Sequence, residues 1–158
     1  MKYFYFLFLI FFFNQSYANS VSCEFEEVYQ DGSIQTGYML FSDGLLRYQY
    51  SDKQLFTIIY NSNYYVIRND DKNIINKLKN DPILNELKHI IADYPKIKNI
   101  YAKDDLKITI HNSQEVEFIK RISINSQKVN LSIYFIDCEF EDISKKYFQP
   151  FSLLKIKQ

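Results

Sequence analysis

Cys23 and Cys138, the two cysteines of the chain, stand near opposite ends of the portion beyond its apolar leader. Thiols so placed have three fates open to them. In an oxidising compartment an even count favours a disulfide. A bridge closing so long a loop stabilises by up to about 4.7 kcal/mol in the chain-entropy model. Acylation of Cys23 is the second fate, because Ser20-Val21-Ser22-Cys23 has a faint lipobox character, although Ser20 stands where such boxes usually carry Leu. Two free thiols are the third. The two histidines, His89 and His111, have no second His, Cys or carboxylate at ligand spacing, so no metal site is expected. With three glycines in the whole chain, a Gly-rich phosphate loop is excluded. No serine sits in a nucleophile-elbow pattern and no Cys–His pair is suggested. The carboxylates that flank the cysteines, Glu24, Glu26 and Glu27 on one side and Glu139, Glu141 and Asp142 on the other, read as solvated edges rather than catalytic pairs. The expected chemistry is therefore binding without catalysis, and no cofactor is called for.

The elements that would position these residues are mostly strands. Met1-Lys2 supplies a positive charge, Tyr3 to Phe13 runs without a charged side chain, and Ser16 and Ala18 are small. That order predicts a cleavable signal peptide over 1–18, and the apolar run is too short for a spanning helix. Residues 19–158 then form one domain. Lys and Arg number 19 and Asp and Glu number 19, so no basic excess points to nucleic acid and none to an anionic membrane.

Period-two patterning predicts strands over 23–29, 34–41, 45–50, 55–60 and 64–67, with Asp31-Gly32, Ser42-Asp43-Gly44, Ser51-Asp52-Lys53 and Asn61-Ser62-Asn63 as turns. Between Asn73 and Ile91 the apolar spacing changes to three and four, which predicts a short helix before Asn80 and a second over 82–92 with Asp81 as its N-cap. Strands resume over 97–101, 106–111, 116–124 and 129–136, and a last one is expected over 147–156. The expectation is mainly β: a curved antiparallel sheet, an incomplete barrel of about nine or ten strands, with a helix covering its concave face.

Several strands are apolar on both faces. Leu55, Thr57 and Ile59 oppose Phe56, Ile58 and Tyr60, so each face of that strand needs a cover, or one faces a hollow. A packed core and an apolar cavity both satisfy the pattern. In the second case Tyr48, Tyr50, Phe56 and Ile58 line the interior from the strands, and Leu84 and Leu87 from the helix.

From about Phe25 to Phe148 the chain resembles the periplasmic outer-membrane lipoprotein carriers, the LolA-like family. The resemblance lies in Phe25-Glu26-Glu27 before Asp31-Gly32, Gly37-Tyr38-Met39-Leu40-Phe41, Leu46-Arg47-Tyr48-Gln49-Tyr50, Thr57-Ile58-Ile59-Tyr60-Asn61, Tyr64-Tyr65-Val66-Ile67 and Asp81-Pro82-Ile83-Leu84. It implies a half-barrel under a helical lid. It also implies a non-enzymatic role sheltering the acyl chains of lipoproteins in the periplasm, between an inner-membrane release complex and an outer-membrane acceptor. Arg47 corresponds to a strand-borne Arg of the family, which implies a structural or cavity-rim role. Two features depart from the pattern: no N-terminal helix precedes the first strand, and Asp43-Gly44 stands where the family often has Arg-Pro. The alternatives are a protein-binding module of the same fold without a lipid cavity, and a membrane-anchored lipoprotein receptor if Cys23 is lipidated.

Overall fold

The computed structural model describes residues 20–71, 75–78, 81–112 and 117–150. The expected signal peptide lies outside them. The chain is mainly β: the described residues form ten antiparallel strands in one open, half-barrel-like sheet with a single α-helix. The strands are β1 (Ser20–Tyr29), β2 (Ile34–Ser42), β3 (Leu45–Tyr50), β4 (Phe56–Asn61), β5 (Asn63–Arg68), β6 (Ile75–Leu78), β7 (Ile100–Lys103), β8 (Leu106–Asn112), β9 (Ile119–Asn125) and β10 (Asn130–Glu139). The helix α1 (Pro82–Asp93) connects β6 to β7, and a short 3-10 helix occupies Lys145–Phe148. In space the strands run β6-β5-β4-β3-β2-β1-β10-β9-β8-β7, so two sequential meanders meet where β1 pairs with β10.

Local sequence sets the hairpins. Asp43 and Gly44 both have positive φ, 49° and 78°, between the paired Ser42 and Leu45. That is a type I′ turn, whose twist matches the strands it joins. Ser62, at φ 60°, reverses the chain between the paired Asn61 and Asn63. Gly37 is required for a different reason. A Cβ there would collide with the Gln49 carbonyl oxygen and with the ring of Phe25, which lies across the glycine from the neighbouring strand.

Alternation sorts the side chains into two layers. Val21, Cys23 and Phe25 of β1, Met39 and Phe41 of β2, Leu46 and Tyr48 of β3, and Ile133 and Phe135 of β10 are buried on the concave face together with Leu87, Ile90 and Ile91 of α1. Asp81 caps the helix as expected, its Oδ1 accepting from the backbone N–H of Ile83 at 2.9 Å and of Leu84 at 3.0 Å. The opposite face of β2 is covered by the C-terminal segment, where Leu40 packs with Ile143 and Phe148. The need for two covers is met by α1 on one side and the 3-10 segment on the other.

Three expectations are corrected. The short helix expected before Asn80 is instead the strand β6, paired with β5 from Ile67↔Ile75 to Tyr64↔Leu78. The three-and-four spacing of Ile74, Ile75 and Leu78 is helical in form, but the open edge of β5 offers a ladder that a four-residue segment satisfies better than one isolated turn. The last expected strand, 147–156, begins instead inside the 3-10 helix, and its residues from 151 onward lie outside the described ones. The strand expected over 97–101 starts later, at Ile100, because a turn closed by Lys96 N–H to the Asp93 carbonyl at 2.8 Å intervenes.

Cys23 and Cys138 form a disulfide with their Cα atoms 4.1 Å apart. The bond lies at a bulge in the β1–β10 ladder, where the register shifts between Ser22↔Glu139 and Glu24↔Ile136. Asp137, at φ 47°, takes up the extra residue. Replacing both cysteines by Ser is expected to lower unfolding stability by roughly 2–5 kcal/mol. The urea midpoint under non-reducing conditions measures it, and an unchanged midpoint contradicts a structural role for the bridge.

Candidate functional site

A hollow of about 320 Å³ lies between α1 and the concave face of the sheet. Leu46, Tyr48 and Tyr50 of β3 and Ile58 of β4 form one wall. Ile124 of β9 and Leu131, Ile133 and Phe135 of β10 form another, and Ile83, Leu84, Leu87 and Ile91 of α1 form the roof. The roof is held at its edges by polar contacts. Tyr64 donates its hydroxyl to Asn85 Oδ1 at 2.8 Å, and Lys88 Nζ lies 3.7 Å from the centre of the Tyr60 ring.

At one place the wall is polar. Glu27, in phase with Cys23 and Phe25 along β1, is 4% exposed. Three tyrosine hydroxyls donate to it: Tyr48 to Oε1 at 2.8 Å, Tyr50 to Oε2 at 2.9 Å and Tyr29 to Oε2 at 2.6 Å. Both oxygens accept, as suits a carboxylate, which has no proton to donate. All four side chains line the hollow. The rings are ordered along their faces as well. Phe25 stacks on Tyr48 with centroids 3.9 Å apart, and Tyr48 meets Tyr50 edge to face at 5.7 Å. The reading of Glu27 as part of a solvated edge is thereby corrected, since strand alternation carries it inward while Glu24 stays exposed. The signal was available in the parity of β1, which puts Glu27 in line with Phe25 and two residues from Tyr29.

Of the residues expected to line an interior, Tyr48, Tyr50, Ile58, Leu84 and Leu87 come together around the hollow. Phe56 does not. It sits beyond the last β3–β4 pair, Gln49↔Thr57, and is 41% exposed. Arg47 is not at the rim. It alternates with Leu46 and Tyr48, so it points to the other face, where it is buried and donates to the Tyr147 carbonyl at 2.9 Å and to Gln49 Oε1 at 2.8 and 3.0 Å. Burial pushes its guanidinium down to about 10. Cys23 spends its sulfur on Cys138, the atom that acylation would need. His89 is exposed, and His111 Nε2 lies 2.8 Å from Arg121 Nη2 at the surface. Among the described residues no group of three or more His, Cys, Asp or Glu could hold a metal ion.

The chain matches no protein-family model and no curated protein sequence. The carrier resemblance thus rests on its sequence motifs alone.

The tyrosines give the site a pH signature. Burial first, then the hydrogen bond and charge of Glu27, push Tyr29 up to about 12. Burial and then the Glu27 charge push Tyr48 and Tyr50 well up too. These groups keep their protons longer in the folded chain than in the unfolded one. Their contribution is whole below about pH 10, the ordinary tyrosine value, and is lost as pH climbs from there toward the folded-state values. The urea midpoint is expected to fall steadily above about pH 10, and near-UV titration should leave a group of tyrosines un-ionised until the chain unfolds. A single ionisation of all tyrosines at their ordinary pH in the folded protein contradicts the network.

Proposed function

We propose that this chain is a non-enzymatic lipid carrier. It shelters the acyl chains of lipoproteins in the periplasm, taking them from an inner-membrane release complex toward an outer-membrane acceptor. The observation that carries the reading is the apolar hollow roofed by α1, whose walls are Leu, Ile, Phe and Tyr side chains from five elements. The disulfide fits an exported protein, since such bonds persist in oxidising compartments.

The energetics set what such a hollow must do. Each methylene taken from water contributes about 0.8 kcal/mol, so an acyl chain crosses an aqueous space only under a cover. A volume of about 320 Å³ is near the lower end of small-molecule pockets. It suits one chain; more than one requires α1 to move outward. The roof is suited to that movement, because Leu87, Ile90 and Ile91 hold it by apolar contacts that have no fixed direction, while contacts at Asn85 and Lys88 tie its edge.

Native mass spectrometry of the protein purified from a periplasmic extract tests the reading. The expected spectrum carries an adduct of lipid mass on the disulfide-bonded chain. Ile58→Glu, which sets a charge into the wall, is expected to remove the adduct while leaving the circular dichroism spectrum unchanged. A folded Ile58→Glu protein that keeps its lipid would sink the assignment of the hollow as the carrier site.

A further inference from the structure

Two charged side chains are found among the residues lining the hollow, Glu27 and Asp81, and both are negative. Asp81 is engaged by the helix N-terminus through its Oδ1. Glu27 is the deeper of the two and is more than nine-tenths buried. Among the described residues no Lys, Arg or His forms an ion pair with it. Burying a carboxylate without a counter-charge is costly, and three tyrosine hydroxyls offset that cost without neutralising the charge. Their arrangement leaves room for one more donor, since Oε2 takes two hydroxyls and Oε1 takes one.

We infer that the hollow selects single-chain amphiphiles with an ammonium head, the head at Glu27 among the tyrosines and the tail along the apolar walls under α1. The inference rests on the carrier reading and adds the head group to it. An ammonium ion supplies both the missing counter-charge and a donor for Oε1. A fatty acid brings a second anion to a site that already holds one. An alcohol supplies the donor without the charge. A lipid-modified chain with a free amino group beside its acyl tail has the required chemistry.

The test compares an alkylammonium, the alcohol and the carboxylate of one chain length, by displacement of an uncharged fluorescent alkyl probe from the purified protein at neutral pH. The expected order of affinity is ammonium, then alcohol, then carboxylate, with about tenfold or more between first and last. Glu27→Gln is expected to weaken the ammonium about tenfold more than it weakens the alcohol. Ammonium binding no tighter than carboxylate on the unaltered chain overturns the inference, and that comparison needs no variant to fold. Equal weakening of all three ligands by Glu27→Gln also overturns it, because it assigns Glu27 a purely structural part. If the alcohol binds but the head-group order is absent, the carrier reading stands and this inference fails. If neither the probe nor any of the three binds, both fail.

Discussion

Among the described residues, the ladder between β1 and β10 is the one pairing of the sheet that is not between strands consecutive in sequence. Every other pair is a hairpin closed by a few residues, and each meander has its own local turns. Joining them costs the closure of a loop that runs through α1 and most of the chain. The return is the concave core itself, since Phe25↔Phe135 and Glu27↔Ile133 face each other across this seam. Cys23 and Cys138, 115 positions apart, tie it at the bulge. The disulfide restricts in the unfolded chain the same separation that the ladder must overcome, so its value and that of the ladder are coupled.

The seam also fixes what the two faces can be. Register decides which parity of β1 turns inward, and a slip by one residue would exchange Phe25 and Glu27 for Glu24 and Glu26. On β3 the same parity rule divides Tyr48 and Tyr50 from Arg47. Arg47 then lies under the C-terminal segment, bonded to the Tyr147 carbonyl, and ties that cover to the convex side. One strand thus supplies the wall of the hollow and the anchor of the opposite cover, which explains why strands such as β4 are apolar on both faces.

Much of this was legible in the residues. Asp43-Gly44 announced its turn because positive φ at two successive positions needs residues of that kind. Asp81-Pro82 announced the start of α1 because a side-chain acceptor followed by a residue without an N–H is what a helix N-terminus requires. What stayed hidden depended on distant partners. Ile75 to Leu78 became a strand because β5 had an edge to fill, and nothing within that short segment records the edge. The inward turn of Glu27 was readable from the parity of β1, but two of its hydroxyl partners were not, because they lie on β3, which β2 separates from β1. Phe56 shares its parity with Ile58, but alternation does not say where a wall ends, and the last β3–β4 pair does.

A hollow in a small domain is under pressure to close, because side chains at an empty wall lose dispersion contacts. The aromatic residues here are held against that pressure at both ends. Their hydroxyls are fixed by Glu27, and Phe25, stacked on Tyr48, occupies the space above Gly37 that a Cβ would fill. For Tyr48 or Tyr50 to swing into the hollow it must give up a hydrogen bond to a buried carboxylate, at about 1.5–3 kcal/mol each. Releasing one hydroxyl also leaves Glu27 less compensated, so the cost of the next grows. The carboxylate that keeps the walls apart is therefore the same group that makes one end of the space negative. The open space and the negative charge at one end of it have a single physical origin.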